Sequence, residues 1–320
     1  MNPQRKLNAW AELDVRADND ERLPLCREQI EFFQTNGYLP IRQIAAPHEV
    51  RELRASIEDL FRWRVGEKEG AQEDFLAGRK RHVKKTAPQI INPVNYLPEL
   101  HRTQCFKKAL AIARQILGEN AWCSCDLAIM KQAYVGTGTP WHQDDAFRDP
   151  TLEYHTVNIW LALHDATAEN GCLRYLPGSH KNDVLEHGPP NGDPTSQALE
   201  CIADFDRENL VSCELPAGGC TIHHSRMLHS AGPNRSPTAR LAYIMIFSLP
   251  PTPAKRAQEF PWLSRRETPA QARRRRWMRR GGLFVAAWRK LRREGFTSLK
   301  DWHGLKWSVE RSVSDLRSGL

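Results

Sequence analysis

A chain of 320 residues with 40% hydrophobic content can bury a full core, as one large domain or two small ones. No apolar run approaches the ~20 residues that span a bilayer, and the polar stretch Met1 to Glu21 lacks a signal-peptide core, so a cytoplasmic location is expected. The formal charge of +8 is unevenly held: residues 251–320 carry 18 Lys/Arg against 6 Asp/Glu, a net of +12, which leaves −4 on the first 250 residues.

Residues 27 to 36 place Ile30, Phe33 and neighbouring Phe32 on one helical face, and Asn36-Gly37 ends the helix. Tyr38 to Ile41 reads as a short strand. Pro47 opens a second helix to about Trp63, with Val50, Leu53, Ile57 and Leu60 at helical spacing. Both helices read as scaffold. Residues 64 to 96 are charged and irregular, and the basic run Arg79 to Lys85 reads as a solvated face or as a rim for an anionic substrate. Residues 92 to 98 read as a loop, and His101 to Leu117 as a helix with Phe106, Leu110, Ala113 and Leu117 inward.

From Ala121 the period changes towards strands. Trp122 to Val135 is expected to be a strand pair, and Thr156 to Leu163 alternates Val157, Ile159, Leu161 and Leu163 against Thr156, Asn158, Trp160 and Ala162. Further strands are expected at Cys172–Leu176, Leu210–Glu214, Cys220–His224 and Leu241–Leu249. The connection 180 to 210 is long and polar, as lids or disordered loops are. Short strands with turn signals point to a mainly β fold with flanking helices, a double-stranded β-helix of the jelly-roll or cupin type. Eight cysteines without a CxxC pair are read as reduced thiols; Cys123 and Cys125 share a strand face but lack two further zinc ligands. There are no internal repeats.

Past Pro250-Pro251 the composition shifts to Arg273 to Arg280, then to Leu283 to Arg293, where Leu283, Phe284, Ala287, Trp288 and Leu291 form one helical stripe. The expected division is a catalytic domain over 1–250, with its core at about 25–250, and a basic, aromatic-rich helical extension over 251–320.

The chemistry-bearing stretch is Gly136 to Phe147, which contains Trp141-His142-Gln143-Asp144. Side chains two apart in an extended segment share a face. His142 and Asp144 can thus offer an imidazole nitrogen and a carboxylate oxygen to one point. A second histidine would complete the facial triad that suits non-haem Fe(II). His229 stands 87 residues after His142, behind the turn Leu215 to Gly219, and Arg240 follows it by 11. His223 and His224 compete with His229 for the third position.

Together with Trp160 and the segment Asn170-Gly-Cys-Leu-Arg-Tyr-Leu-Pro-Gly-Ser-His-Lys181, these residues resemble the phytanoyl-CoA dioxygenase family of Fe(II)- and 2-oxoglutarate-dependent oxygenases. The resemblance covers about residues 25 to 250, with the motifs in the family's order. It implies that His142, Asp144 and His229 bind iron, that Arg240 pairs with the distal carboxylate of 2-oxoglutarate, and that Trp160 walls the cosubstrate. Lys131 and Gln143 are further cofactor-pocket candidates, and His224 fits the family's upstream supporting histidine. The implied reaction consumes O2 and 2-oxoglutarate, releases succinate and CO2, and hydroxylates a C–H bond. Related halogenases lack the carboxylate at the position of Asp144. The family's serine two residues after the distal histidine is Ala231 here, and Ser230 or another hydroxyl would have to serve.

Two substrate classes follow. A basic tail with interleaved Trp, Phe and Leu suits an anionic membrane surface, with the enzyme peripheral on the inner face and a glycolipid such as the Kdo sugar of lipopolysaccharide as substrate. The alternative is a soluble tailoring hydroxylase of a small metabolite or acyl-CoA thioester, with the tail covering the barrel or a partner. A non-enzymatic binding barrel is a third reading, which the intact motif residues disfavour. Nucleic acid is disfavoured as a partner because no recognised binding module is present.

Overall fold

The computed structural model describes residues 25–74, 86–193, 196, 198–256, 258–263 and 269–293. The basic run 79–85, the first 24 residues and residues 294–320 lie outside them.

In chain order the chain runs α1 (Arg27–Asn36), β1 (Tyr38–Ile41), α2 (Pro47–Arg62), β2 (Gln72–Asp74), β3 (Pro88–Ile91), α3 (Gln104–Leu117) and β4 (Trp122–Lys131). It continues with β5 (Thr139–His142), β6 (Thr156–Ala162), β7 (Leu173–Tyr175), β8 (Val211–Cys213), β9 (Cys220–His224), β10 (His229–Ala231) and β11 (Arg240–Ser248). Helices α4 (Pro269–Trp277) and α5 (Leu283–Arg293) end the described chain, joined by a π-helical turn at Met278–Gly282.

The local signals explain the helix ends. Gly37 caps α1 in the left-handed region (φ 81), and a Cβ there would meet His180 Nδ1 at 2.2 Å, so no side chain fits. Pro47 starts α2. Thr103 accepts the Phe106 N–H at 3.2 Å, which starts α3 three residues later than the sequence suggests, after a 3-10 turn at Pro98–Arg102.

Two sheets face each other as a jelly-roll rather than a closed barrel. The large one has the order β1-β9-β6-β11-β4-β3-β2, and the small one β8-β7-β10-β5. Strand alternation then divides the protein into layers. Ile159, Leu161, Ile222, Tyr243 and Phe247 point away from the small sheet into a core with Val50, Leu53 and Ile57 of α2 and Ala109 and Ile112 of α3. Trp160, Ala162, Ala242 and Ile244 point the other way and pack between the sheets on Leu173, Tyr175 and Cys213. Both faces of β6 are therefore buried. Each large apolar side chain so buried contributes roughly 1.5–3 kcal/mol.

The structure departs from the sequence reading at several points. Trp122 to Val135 is one ten-residue strand ending at Lys131, not a pair. The stretch read as irregular supplies β2 and β3, which extend the large sheet beside β4. Polar residues hid β2, whose Asp74 carboxylate accepts the Thr86 and Ala87 N–H groups at 2.5 and 3.1 Å and so ties the two strands together. The connection after His180 lies on the outer face of the small sheet, where Leu185, Phe205 and Cys201 pack on Trp141 and Leu228. Cys105, Cys172, Cys201, Cys213 and Cys220 are buried free thiols. Among the described residues no helix is long and apolar enough to cross a membrane.

Candidate iron centre

β5 and β10 pair antiparallel with His142 opposite His229. Both imidazoles stand on the inner face of the small sheet, their ring centroids 4.2 Å apart. β5 ends at His142; Gln143 stays extended, and Asp144 opens a 3-10 turn, Asp144–Phe147. Gln143 carries Asp144 back to the side of His142, whose Nε2 lies 3.6 Å from Asp144 Oδ1. One ligand atom from each of His142, Asp144 and His229 falls within 4.8 Å of the others.

The two rings are held in one orientation. His142 Nδ1 bonds the Pro140 carbonyl and His229 Nδ1 the Met227 carbonyl, both at 2.9 Å. A carbonyl only accepts, so each Nδ1 carries the proton and each Nε2 is left to offer a lone pair inward. Burial and the neighbouring His142 push His229 down to about 3, which keeps it neutral. Burial would raise the Asp144 carboxyl, but His229, His142 and His223 together hold it well below the usual range, so it is ionised. Burial opposes charge on His142, yet Asp144 raises it above its ordinary value. A metal ion here would take the place of that proton.

Asp144 has two further neighbours that the sequence reading did not assign. Asn158 of β6 donates its amide to Asp144 Oδ2, and His223 Nε2 stands 3.6 Å from the same oxygen. His223 Nδ1 in turn lies 3.1 Å from the Tyr175 hydroxyl, which donates to Thr221 Oγ1 at 2.8 Å. The histidine beside the triad is thus His223 and not His224. On β9 alternate residues face opposite ways: Thr221 and His223 point between the sheets across from Trp160 and Asn158. His224 sits near the His180 ring, 5.7 Å away, and accepts the Arg226 N–H at 3.0 Å. Alternation on β9 and β6 was the signal that could have found His223 and Asn158.

Arg240 begins β11 opposite Lys131 of β4 and is 2% exposed. Its Nη1 donates to the Gly171 carbonyl at 2.7 Å, and its Cζ sits 4.8 Å from the centre of the Trp160 ring. Its Nε has no partner and no carboxylate pairs with it among the described residues. A buried guanidinium without an anion is costly, and burial lowers it to about 10. The position of Gly171 is set by close approach: at φ 88 its Cβ would meet Gly232 O at 2.3 Å and Lys131 Nζ at 3.2 Å.

Lys131 and Gln143 have other partners. Lys131 Nζ donates to the Ala231 and Gly232 carbonyls, and burial with Arg240 and Arg174 nearby lowers it to about 6. The Gln143 side chain links the Arg226 carbonyl to the Leu185 N–H, each at 2.8 Å. Ser230 alternates to the opposite face of β10 from His229 and Ala231, across from Arg174, so it does not reach towards Arg240.

The sequence profile of the phytanoyl-CoA dioxygenase (PhyH) family matches residues 33–242, about two thirds of the chain. The chain belongs to the phytanoyl-CoA dioxygenase family. A phytanoyl-CoA dioxygenase of Arabidopsis thaliana is 25% identical over 250 residues, covering 68% of this chain and 87% of that one. The L-proline trans-4-hydroxylase of Streptomyces griseoviridis is 28% identical over 265 residues, covering 77% and 95%. Among solved structures, EvdO2 of Micromonospora carbonacea var. aurantiaca, complexed with 2-oxoglutarate, superposes with a TM-score of 0.65 at 31% identity over 75% of this chain and 97% of that one. The family member described here is a 2-oxoglutarate-dependent dioxygenase, and iron and 2-oxoglutarate are its cofactors.

Proposed function

We propose that the enzyme hydroxylates an unactivated C–H bond of an organic substrate, with His142, Asp144 and His229 holding Fe(II) and Arg240 holding the distal carboxylate of 2-oxoglutarate. The observation that carries this reading is the convergence of two oriented imidazoles and one ionised carboxylate on a single point. Bound iron and 2-oxoglutarate supply the oxidising power, with O2 consumed and succinate and CO2 released.

The chain's own residues position and shield. Asp144 stays ionised because three histidines surround it, and Asn158 fixes which oxygen it offers. Arg240 keeps Nε free while Gly171 fixes one amino group, and the Trp160 ring packs against the guanidinium. A carboxylate entering the guanidinium plane takes parallel hydrogen bonds. Lys131 anchors the backbone after His229 rather than the ligand, and Gln143 locks the Asp144 turn to the covering connection. A carboxylate at position 144 favours delivery of hydroxyl over halide.

Two substrate readings have support. The relatives named for small substrates, L-proline and hypophosphite, favour a soluble metabolite. The basic module after residue 268, with Phe284 83% exposed, favours an amphiphilic anionic substrate such as the Kdo-containing glycolipid, met by an enzyme peripheral on the inner membrane face.

The test is anaerobic addition of Fe(II) and then 2-oxoglutarate to the full chain. A visible charge-transfer band that is absent in His142→Ala supports the reading. No band in folded protein overturns it.

A further inference from the structure

Helix α5 is amphipathic, and Arg289 on its polar side ties it to the rest of the protein. Arg289 binds Glu69 through Nη1 at 2.6 Å and Nη2 at 3.1 Å, and its Cζ stands 4.5 Å from the centre of the Tyr96 ring. Glu69 also accepts the Tyr96 hydroxyl at 2.5 Å, so this anchor is a closed three-residue unit. At 3.6 residues per turn, Phe284 lies roughly 140° around the helix from Arg289. It is 83% exposed, and Val285 beside it is 41% exposed. Ala287 and Trp288 share the Phe284 side by the same spacing.

The described anchor of this helix is the polar Arg289, and Phe284 is left on the side away from it. A solvent-facing phenylalanine on a helix that also carries a dense positive charge calls for a partner. Residues 269–293 hold ten Lys/Arg and no Asp/Glu, and Arg276, Arg279 and Arg280 are exposed.

We infer that α4 and α5 form an interfacial module that seats the enzyme on an anionic lipid surface, with Phe284 entering the headgroup boundary and the flanking arginines on lipid phosphates. A lipid interface offers both an apolar phase and negative charge within one helix diameter. Nucleic acid would pair with the arginines but leave Phe284 in water. A second copy placed on the same face by a two-fold axis would bring together two segments that each carry a dense positive charge and no Asp/Glu. The inference takes up the membrane side of the glycolipid reading. Vesicle binding is measured without turnover, so its failure leaves the oxygenase assignment standing.

The experiment is sedimentation of the full chain with vesicles of equal parts phosphatidylcholine and phosphatidylglycerol, against vesicles of phosphatidylcholine alone. The wild type is expected to pellet with the anionic vesicles only, and less so at high salt. Phe284→Ser, at an exposed position that leaves the fold intact, is expected to weaken partitioning about tenfold. The double variant Arg279→Glu/Arg280→Glu is expected to weaken it by at least about 25-fold, at roughly fivefold per basic residue lost. Three outcomes overturn the inference. The wild type stays in solution with anionic vesicles; or Phe284→Ser sediments like wild type while the chain shifts a duplex oligonucleotide; or light scattering without lipid shows a dimer that Phe284→Ser dissociates.

Discussion

His142 and His229 face one another across the β5–β10 pair at 4.2 Å between ring centroids, each with Nδ1 tied to the carbonyl two residues before it. The backbone of a single strand pair thus sets both imidazoles, and Asp144 is the one member that comes from a turn. Its removal leaves two oriented nitrogens and an open position. Asp144→Ala is expected to abolish the charge-transfer band and succinate formation and, because the folded state holds this carboxylate ionised among its histidines, to lower the thermal midpoint of the metal-free protein. Succinate release that continues in this variant would sink the triad.

Arg240 tests the cosubstrate end. Arg240→Lys keeps the charge but loses the planar donor pair, and hydrogen bonds to charged groups contribute ≈ 1.5–3 kcal/mol each. The KM for 2-oxoglutarate is therefore expected to rise by about tenfold to a hundredfold, with the iron affinity of the variant unchanged by metal titration. An unaltered KM would place the carboxylate elsewhere.

Most of the fold was legible because the large sheet and its helices bury strongly periodic faces. The alternation of Val157, Ile159 and Leu161 against Asn158 and Trp160 is the layering observed. The closely spaced His142 and Asp144 and the later His229 are residues that the structure brings together at one point. What stayed hidden was set by pairing between distant strands. Choosing His223 over His224 requires the register of β9 on β6, in which His223 falls opposite Asn158. The edge strand β2 is polar, and its place depends on hydrogen bonds to β3. Past residue 250 the chain returns to the earlier part. Thr252–Pro253 pairs with Leu152–Glu153, and Trp262 donates to the Ala146 carbonyl at 2.8 Å, within the turn that carries Asp144.

Asn158 is the residue through which β6 acts on Asp144. Asn158→Leu keeps the branched shape of the side chain but removes the donor to Asp144 Oδ2. Outer partners of this kind typically contribute 10–100-fold in metal affinity. Iron is expected to bind about 10–100-fold more weakly in the variant, with the band restored at saturating metal. The same dissociation constant as wild type would mean that His142 and His223 orient Asp144 without it.

Lys131 gives a pH signature of the folded state. Its amine is lowered to about 6 by burial and by Arg240 and Arg174, against 10.5 for an ordinary lysine. Between those values the unfolded chain binds one proton more than the folded one, so stability rises with pH across that window. One such group contributes a slope of up to about 1.4 kcal/mol per pH unit. Lys131→Met removes the titrating group along with its hydrogen bonds to the Ala231 and Gly232 carbonyls, so the variant is expected to be less stable at alkaline pH. Urea unfolding of the metal-free protein between about pH 7 and 9 is expected to show a shallower rise for Lys131→Met, by about 1 kcal/mol per unit. Parallel curves for the two proteins would mean that Lys131 stays charged where it is buried.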